Sequence, residues 1–160
     1  MSYSILISIT SQTLQLFQKQ QLLASYVISS GLKGVGYQKN SGQTPLGLHQ
    51  IRAKIGADQP INSVFVGRRA TGEIYSPELA ETNPNRDWIL SRILWLSGKE
   101  VGVNRLGTVD TMQRYIYIHG TPDSEPMGEP LSHGCIRMRN SDLIALFDFV
   151  PVGTEVTIQP

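Results

Sequence analysis

From Ser4 to Phe17 apolar residues fall mostly on every second position with Ser and Gln between them, the spacing of side chains that alternate across a pleat. This predicts two short, half-buried strands joined near Ser11-Gln12. A third follows over Leu22–Ile28, and "LGLHQIRAKI" predicts another. Between those two lies "SSGLKGVGYQKNSGQTPLG", whose glycines and polar residues predict a long loop. Its "GLKGVG" has neither Walker nor dinucleotide spacing, so it reads as turn chemistry.

"RDWILSRILWLSG" fits two periods. Trp88, Arg92 and Trp95 would share a helical face, whereas Ile89, Ser91, Ile93 and Trp95 alternate with Leu90, Arg92, Leu94 and Leu96; we read a strand. "QRYIYIHG" predicts a strand with Tyr115, Tyr117 and His119 on one side, Ile116 and Ile118 on the other, and Gly120 turning the chain after His119. Leu143, Leu146, Phe147 and Val150 recur at helical spacing, which predicts one clear helix over about Ser141–Val150, with Asn140 as its N-cap and Pro151 as its stop. "TEVTIQ" closes with a strand. The expectation is a mainly β single domain over residues 1–160, without repeats.

Charge and composition narrow the function. The formal net charge is +1 and the basic residues are scattered, which argues against nucleic acid or an anionic membrane as partner. One cysteine cannot form an intramolecular disulfide. The N-terminal "MSYSILISITSQTLQLF" lacks the basic start and unbroken apolar run of a signal peptide, and "WILSRILWL" is about half a membrane span. On these grounds the expected location is the cytoplasm, or the periplasm if a leader was removed.

The single cysteine, Cys135, stands in "SHGCIR". A thiol attacks carbonyl carbon as the thiolate, so it needs a base or a positive charge beside it. His133 is close in sequence and constrained by local geometry, whereas His119, at the end of a strand, can meet the thiol if the proline- and glycine-punctuated loop "GTPDSEPMGEPLS" folds back. His119 is therefore the favoured base. Gly134 lets the backbone before the nucleophile take torsions that strain other residues, and makes the amides of Gly134 and Cys135 candidates for an oxyanion hole. Competing readings stay open: Cys135 as a small apolar filler, or a zinc site from His119, His133, Cys135 and His49, which lacks paired ligand spacing. Arg137 and Arg92 are candidates to grip a substrate carboxylate or to make ordinary ion pairs. Ser132 either orients its neighbours or turns the chain, and Trp88 and Trp95 read as core or cleft wall.

"HGTPDSEPMGEPLSHGCIRMRNSDLIALFDFVPVGTEVTI" closely resembles the catalytic end of the YkuD-fold L,D-transpeptidases, whose signature is a His, a spacer, Ser/Thr-His-Gly-Cys and a following Arg. "ILISITSQTLQLFQ", "VISSG" and "TPLG" resemble the opening strands and loop of the same domain. The resemblance implies a β-sandwich-like fold and a cofactor-free, metal-free enzyme. It implies Cys135 as nucleophile, forming a thioester with a peptidoglycan stem peptide, and His119 as base. It also implies the Gly120 carbonyl as third member, His133 lining the site, and amides around His133 to Cys135 holding the oxyanion. "GRRATGEIYSPEL…RDWILSRILWLSG" is similar to the insert of short cytoplasmic L,D-carboxypeptidases of murein recycling, which trim tetrapeptide to tripeptide. The leading expectation is such a carboxypeptidase. The alternatives are a cross-linking transpeptidase and a non-catalytic domain that binds wall fragments.

Overall fold

A computed structural model describes residues 2–160. β1 (Tyr3–Ser8) and β2 (Thr13–Gln18) pair antiparallel, and β3 (Gln21–Ser29) follows. The alternation decides which face is covered: Ile5, Ile7, Leu14 and Leu16 are buried. After the expected long loop come β4 (Gly47–Ile55), the hairpin β5 (Ser63–Val66) and β6 (Arg69–Ile74), and the short helix α1 (Pro77–Thr82). The remaining elements are β7 (Ile89–Gly98), β8 (Tyr117–Gly120), β9 (Ile136–Met138), α2 (Asn140–Phe149) and β10 (Glu155–Gln159).

The strands form one sheet in the order β4-β10-β1-β2-β3-β9-β8-β7-β5-β6, and β4 also pairs with β7, so eight strands close into a ring from which the β5–β6 hairpin branches. This closed form of the expected sandwich leaves few open edges. Inside it, alternate residues of β1, β2, β7, β8, β9 and β10 meet Leu143, Leu146, Phe147 and Val150, the helical stripe legible in the sequence. A second, smaller cluster on the other face of β7 and β8 contains Phe65, Ile93 and Tyr117, with Trp95 and Cys135 against it. No helix among the described residues is long and apolar enough to cross a membrane.

Three local expectations need correction. β8 begins at Tyr117, because Tyr115 takes a positive φ of 56° that breaks the pleat, and it lies exposed instead of sharing a face with Tyr117 and His119. Gly120 completes β8, paired with Leu90 and Met138, and does not turn the chain. Asn140 is the first residue of α2, not its cap. Arg139 holds the cap position, while the buried Asn140 amide accepts from Ser91 Oγ (2.7 Å) and donates to the Thr121 carbonyl (2.8 Å). A short helix was also overlooked: α1 starts at "SPEL", where Ser76 Oγ accepts from the Leu79 amide (3.1 Å) and Pro77 occupies the first turn.

Candidate active site

β8 and β9 run parallel, with His119 opposite Arg137 and Ile118 opposite Ile136. This register draws the end of β8 and the start of β9 together, so His119 in β8 and Cys135 just before β9, separated by the long proline-punctuated loop, come to adjacent segments. His119 follows the pleat of Tyr117 and opposes Ile93 on β7, on the face against which Cys135 packs.

His119 is 2% exposed. Its Nδ1 lies 2.7 Å from the carbonyl oxygen of Gly120, which can only accept, so the proton is on Nδ1 and Nε2 is left as a basic lone pair. Burial pulls the imidazole below the ordinary histidine range, and the Gly120 carbonyl opposes this. A side chain at position 120 would run into the Asn140 amide oxygen and the Leu90 carbonyl. Glycine there permits the close approach.

Cys135 is half-buried. Its sulfur accepts from the Tyr117 amide (3.3 Å) and the thiol donates to the Tyr115 carbonyl (3.4 Å). The left-handed Tyr115 turns both backbone groups toward the sulfur, a consequence of the same break that shortens β8. Burial pushes the thiol up to about 12, against the Tyr117 amide, which favours the anion. A lowered imidazole and a raised thiol make a neutral resting pair, with the proton on sulfur.

The nucleophile loop is tied down at both ends. Ser132 Oγ donates to the Cys135 carbonyl (2.5 Å) and accepts from the Gly134 amide (3.2 Å). Thr44 Oγ1 donates to the Gly134 carbonyl and accepts from the Gly31 amide, each at 2.9 Å, which fixes the loop to the 30–46 segment. Gly134 has φ +116°, and a Cβ there would lie 3.2 Å from the Gln43 carbonyl oxygen. The sequence expectation placed the Gly134 amide in an oxyanion hole; the Ser132 hydroxyl already occupies it, and the amides of His133 and Cys135 make no hydrogen bond within the loop.

His133 stands between two clefts. The first, of about 350 Å³, is lined by Lys39, Arg114 and Tyr115; the second, of about 220 Å³, by Asp87, Trp88, Glu125 and Arg137. Arg114 is held by the Gln43 carbonyl (2.7 Å) and keeps a fixed positive charge near the sulfur. At the tip of the β5–β6 turn Arg68 lies 4.7 Å over Trp95 and 4.8 Å over Tyr115, and donates to the Tyr117 hydroxyl (3.0 Å). The hairpin thereby covers the aromatic wall beside Cys135.

Of the residues singled out in the sequence, Cys135, His119, Gly120, Ser132, His133, Gly134 and Arg137 share this site. Arg92 does not. Its guanidinium donates to the Gln59 and Ser91 carbonyls and lies 5.6 Å over Phe147, on the face covered by α2, because Arg92 lies within the bulge between Leu90 and Ile93, where Ser91 takes a positive φ. His49 is also elsewhere, with its ring nitrogens taken by the Gly47 carbonyl (3.0 Å) and Thr111 Oγ1 (2.9 Å). Sequence reading missed Asp87, whose Oδ2 lies 3.2 Å from His133 Nδ1 and Oδ1 3.4 Å from Arg137. Its place before the apolar run of β7 gave no sign of a functional carboxylate.

The family model described as YkuD, L,D-transpeptidase catalytic domain, matches residues 2–158. A Bacillus licheniformis protein that carries the name L,D-transpeptidase YkuD is 28% identical over 99% of this chain and 66% of its own length. An Escherichia coli protein named L,D-transpeptidase YbiS is 33% identical over 70% of this chain and 35% of its own. The chain thus spans less than two thirds of these relatives. The fold is shared with an L,D-transpeptidase from Mycobacterium smegmatis (TM-score 0.57, 19% identity, 99% of this chain and 59% of that one). It is shared too with L,D-transpeptidase 3 from Mycobacterium tuberculosis (TM-score 0.61, 16% identity, 99% and 61%).

Proposed function

The chain belongs to the YkuD family of L,D-transpeptidase catalytic domains, and on that footing we propose that it is a cysteine acyl-transfer enzyme acting on peptidoglycan stem peptides, with water as the final acceptor. The carrying observation is the pairing of β8 with β9, which sets a histidine oriented by the Gly120 carbonyl beside a cysteine held on a fixed loop. Rotation of the Cys135 side chain away from the Tyr115 carbonyl brings the thiol to His119 Nε2, which takes its proton. Such contacts tighten only with substrate bound. The sulfur adds to the carbonyl carbon of the L-centre before the terminal D-residue, and the amides of His133 and Cys135 receive the oxyanion. As the intermediate collapses, the C–N bond breaks, the departing amine takes the proton from His119, and a Cys135 thioester remains. In this reading Arg137, which lines the second cleft, binds a substrate carboxylate.

Support for hydrolysis comes from the segment 67–98, similar to the insert of short L,D-carboxypeptidases, which folds as β6, α1 and β7 and lends Asp87 and Trp88 to the second cleft. An amine acceptor is the second reading, favoured by Asp87 and Glu125 in the second cleft, which suit an incoming ammonium group. Mass spectrometry of products from murein tetrapeptide, with and without an acceptor D-amino acid, separates the two. Tripeptide and free D-alanine in both samples support the carboxypeptidase, and mostly exchanged peptide in the second sample supports the transpeptidase. Tight binding without turnover would favour a fragment-binding domain.

A further inference from the structure

We propose that Asp87 is a positioning residue that orients His133 as a second, solvent-facing base, distinct from His119, for the step that resolves the acyl-enzyme. The inference rests on the Cys135 thioester reading above.

The two histidines beside Cys135 occupy opposite environments. His119 is buried within paired strands, whereas the His133 side chain is 72% exposed and borders both clefts. A carboxylate can only accept, so the 3.2 Å contact with Asp87 Oδ2 places the His133 proton on Nδ1 and leaves Nε2 as an acceptor toward its surroundings. Asp87 is itself oriented, since its other oxygen lies 3.4 Å from Arg137, which is 8% exposed and fixed in β9 opposite His119. The result is a relay from β9 through Asp87 to an exposed imidazole two residues before the nucleophile. Lys39 and Arg114 in the first cleft and Arg86 and Glu125 in the second are the other charged groups that line these clefts.

In the resolving step the oxygen of water, or the nitrogen of an amine, bonds to the thioester carbonyl carbon while its proton passes to His133 Nε2. The C–S bond then breaks, and the sulfur leaves as thiolate and recovers the proton from the imidazolium, which restores the neutral thiol and imidazole. His119 is needed in acylation and His133 in deacylation, so the two half-reactions respond to different substitutions.

Rapid-quench experiments with tetrapeptide, reading D-alanine release in the first turnover and acyl-enzyme by intact mass, separate the steps. For Asp87→Asn and His133→Gln we expect deacylation slowed ~10- to 100-fold, below the full effect of a general base, and slowed more than first-turnover release. The acyl-enzyme should accumulate. Because Asp87 acts through His133, the double variant should be no slower than His133→Gln, and Asp87→Glu should recover most of the loss. Equal slowing of both steps, additive losses, or unchanged deacylation in His133→Gln, whose exposed ring is dispensable for folding, would overturn the proposal. D-alanine release with no adduct in the parent or in either variant would instead overturn the thioester reading on which it stands.

Discussion

The Nδ1 of His119 lies 2.7 Å from the carbonyl oxygen of Gly120, the next residue in its own strand, so one backbone group sets the tautomer of the base. The contact depends on glycine, because the Asn140 side chain and the Leu90 carbonyl approach where a Cβ would be. Gly120→Ala should overpack this buried point at a cost of about 1–3 kcal/mol. It should also tilt the ring enough to lower kcat roughly 100-fold, the lower range for a general base. Thermal melting and steady-state D-alanine release measure the two effects; a variant with parental kcat would mean that the Gly120 contact does not orient the base.

The neutral resting pair predicts unusual thiol chemistry. With burial pushing Cys135 up to about 12 and His119 down, the free enzyme holds almost no thiolate at neutral pH. Its alkylation by iodoacetamide should be slow at pH 7 and still rising at pH 10. Because the His119 imidazole takes up a proton only below its ordinary range, the acid limb of turnover should fall below pH 6.5. Rapid alkylation with a plateau near pH 6 would show a preformed thiolate-imidazolium pair and contradict this.

Stability should also report a buried imidazole outside the site. His49, sealed in β4, is lowered from 6.5 to about 4 by burial. Above pH 6.5 it is neutral whether folded or unfolded; as pH falls toward 4 only the unfolded chain takes the proton, so stability declines over that window. At about 1.4 kcal/mol per unit the full loss is roughly 3 kcal/mol. His119 acts in the same direction. Urea midpoints at pH 7 and 4.5 should therefore differ less for His49→Gln than for the parent, and identical differences would place the acid sensitivity elsewhere.

How much of this was legible in the sequence depended on the range of the information. Period-two alternation at Ile5, Ile7, Leu14 and Leu16 and the helical stripe Leu143, Leu146, Phe147 and Val150 are local, and both reached the core as expected. The spacing between His119 and Cys135 fits the parallel pairing of β8 with β9, which brings their segments together. What failed depended on tertiary detail. Arg92 was read by charge alone, and a bulge turned it under α2. Asn140 looked like a cap because its type favours caps, yet partners on three segments claim its amide. Tyr115 broke the alternation of its neighbours through one positive φ, and that break built the sulfur's hydrogen bonds. Asp87 acquires its partners from segments 46 and 50 residues away, and nothing in the residues beside it marks them.

The central claim is that Cys135 carries the acyl group. Incubating murein tetrapeptide with the parent enzyme and with Cys135→Ala, and reading both intact protein mass and free D-alanine, tests it most directly. The account predicts a tripeptide-sized adduct localised to Cys135 and D-alanine release in the parent, with neither in a folded Cys135→Ala. Undiminished D-alanine release by that variant would contradict it.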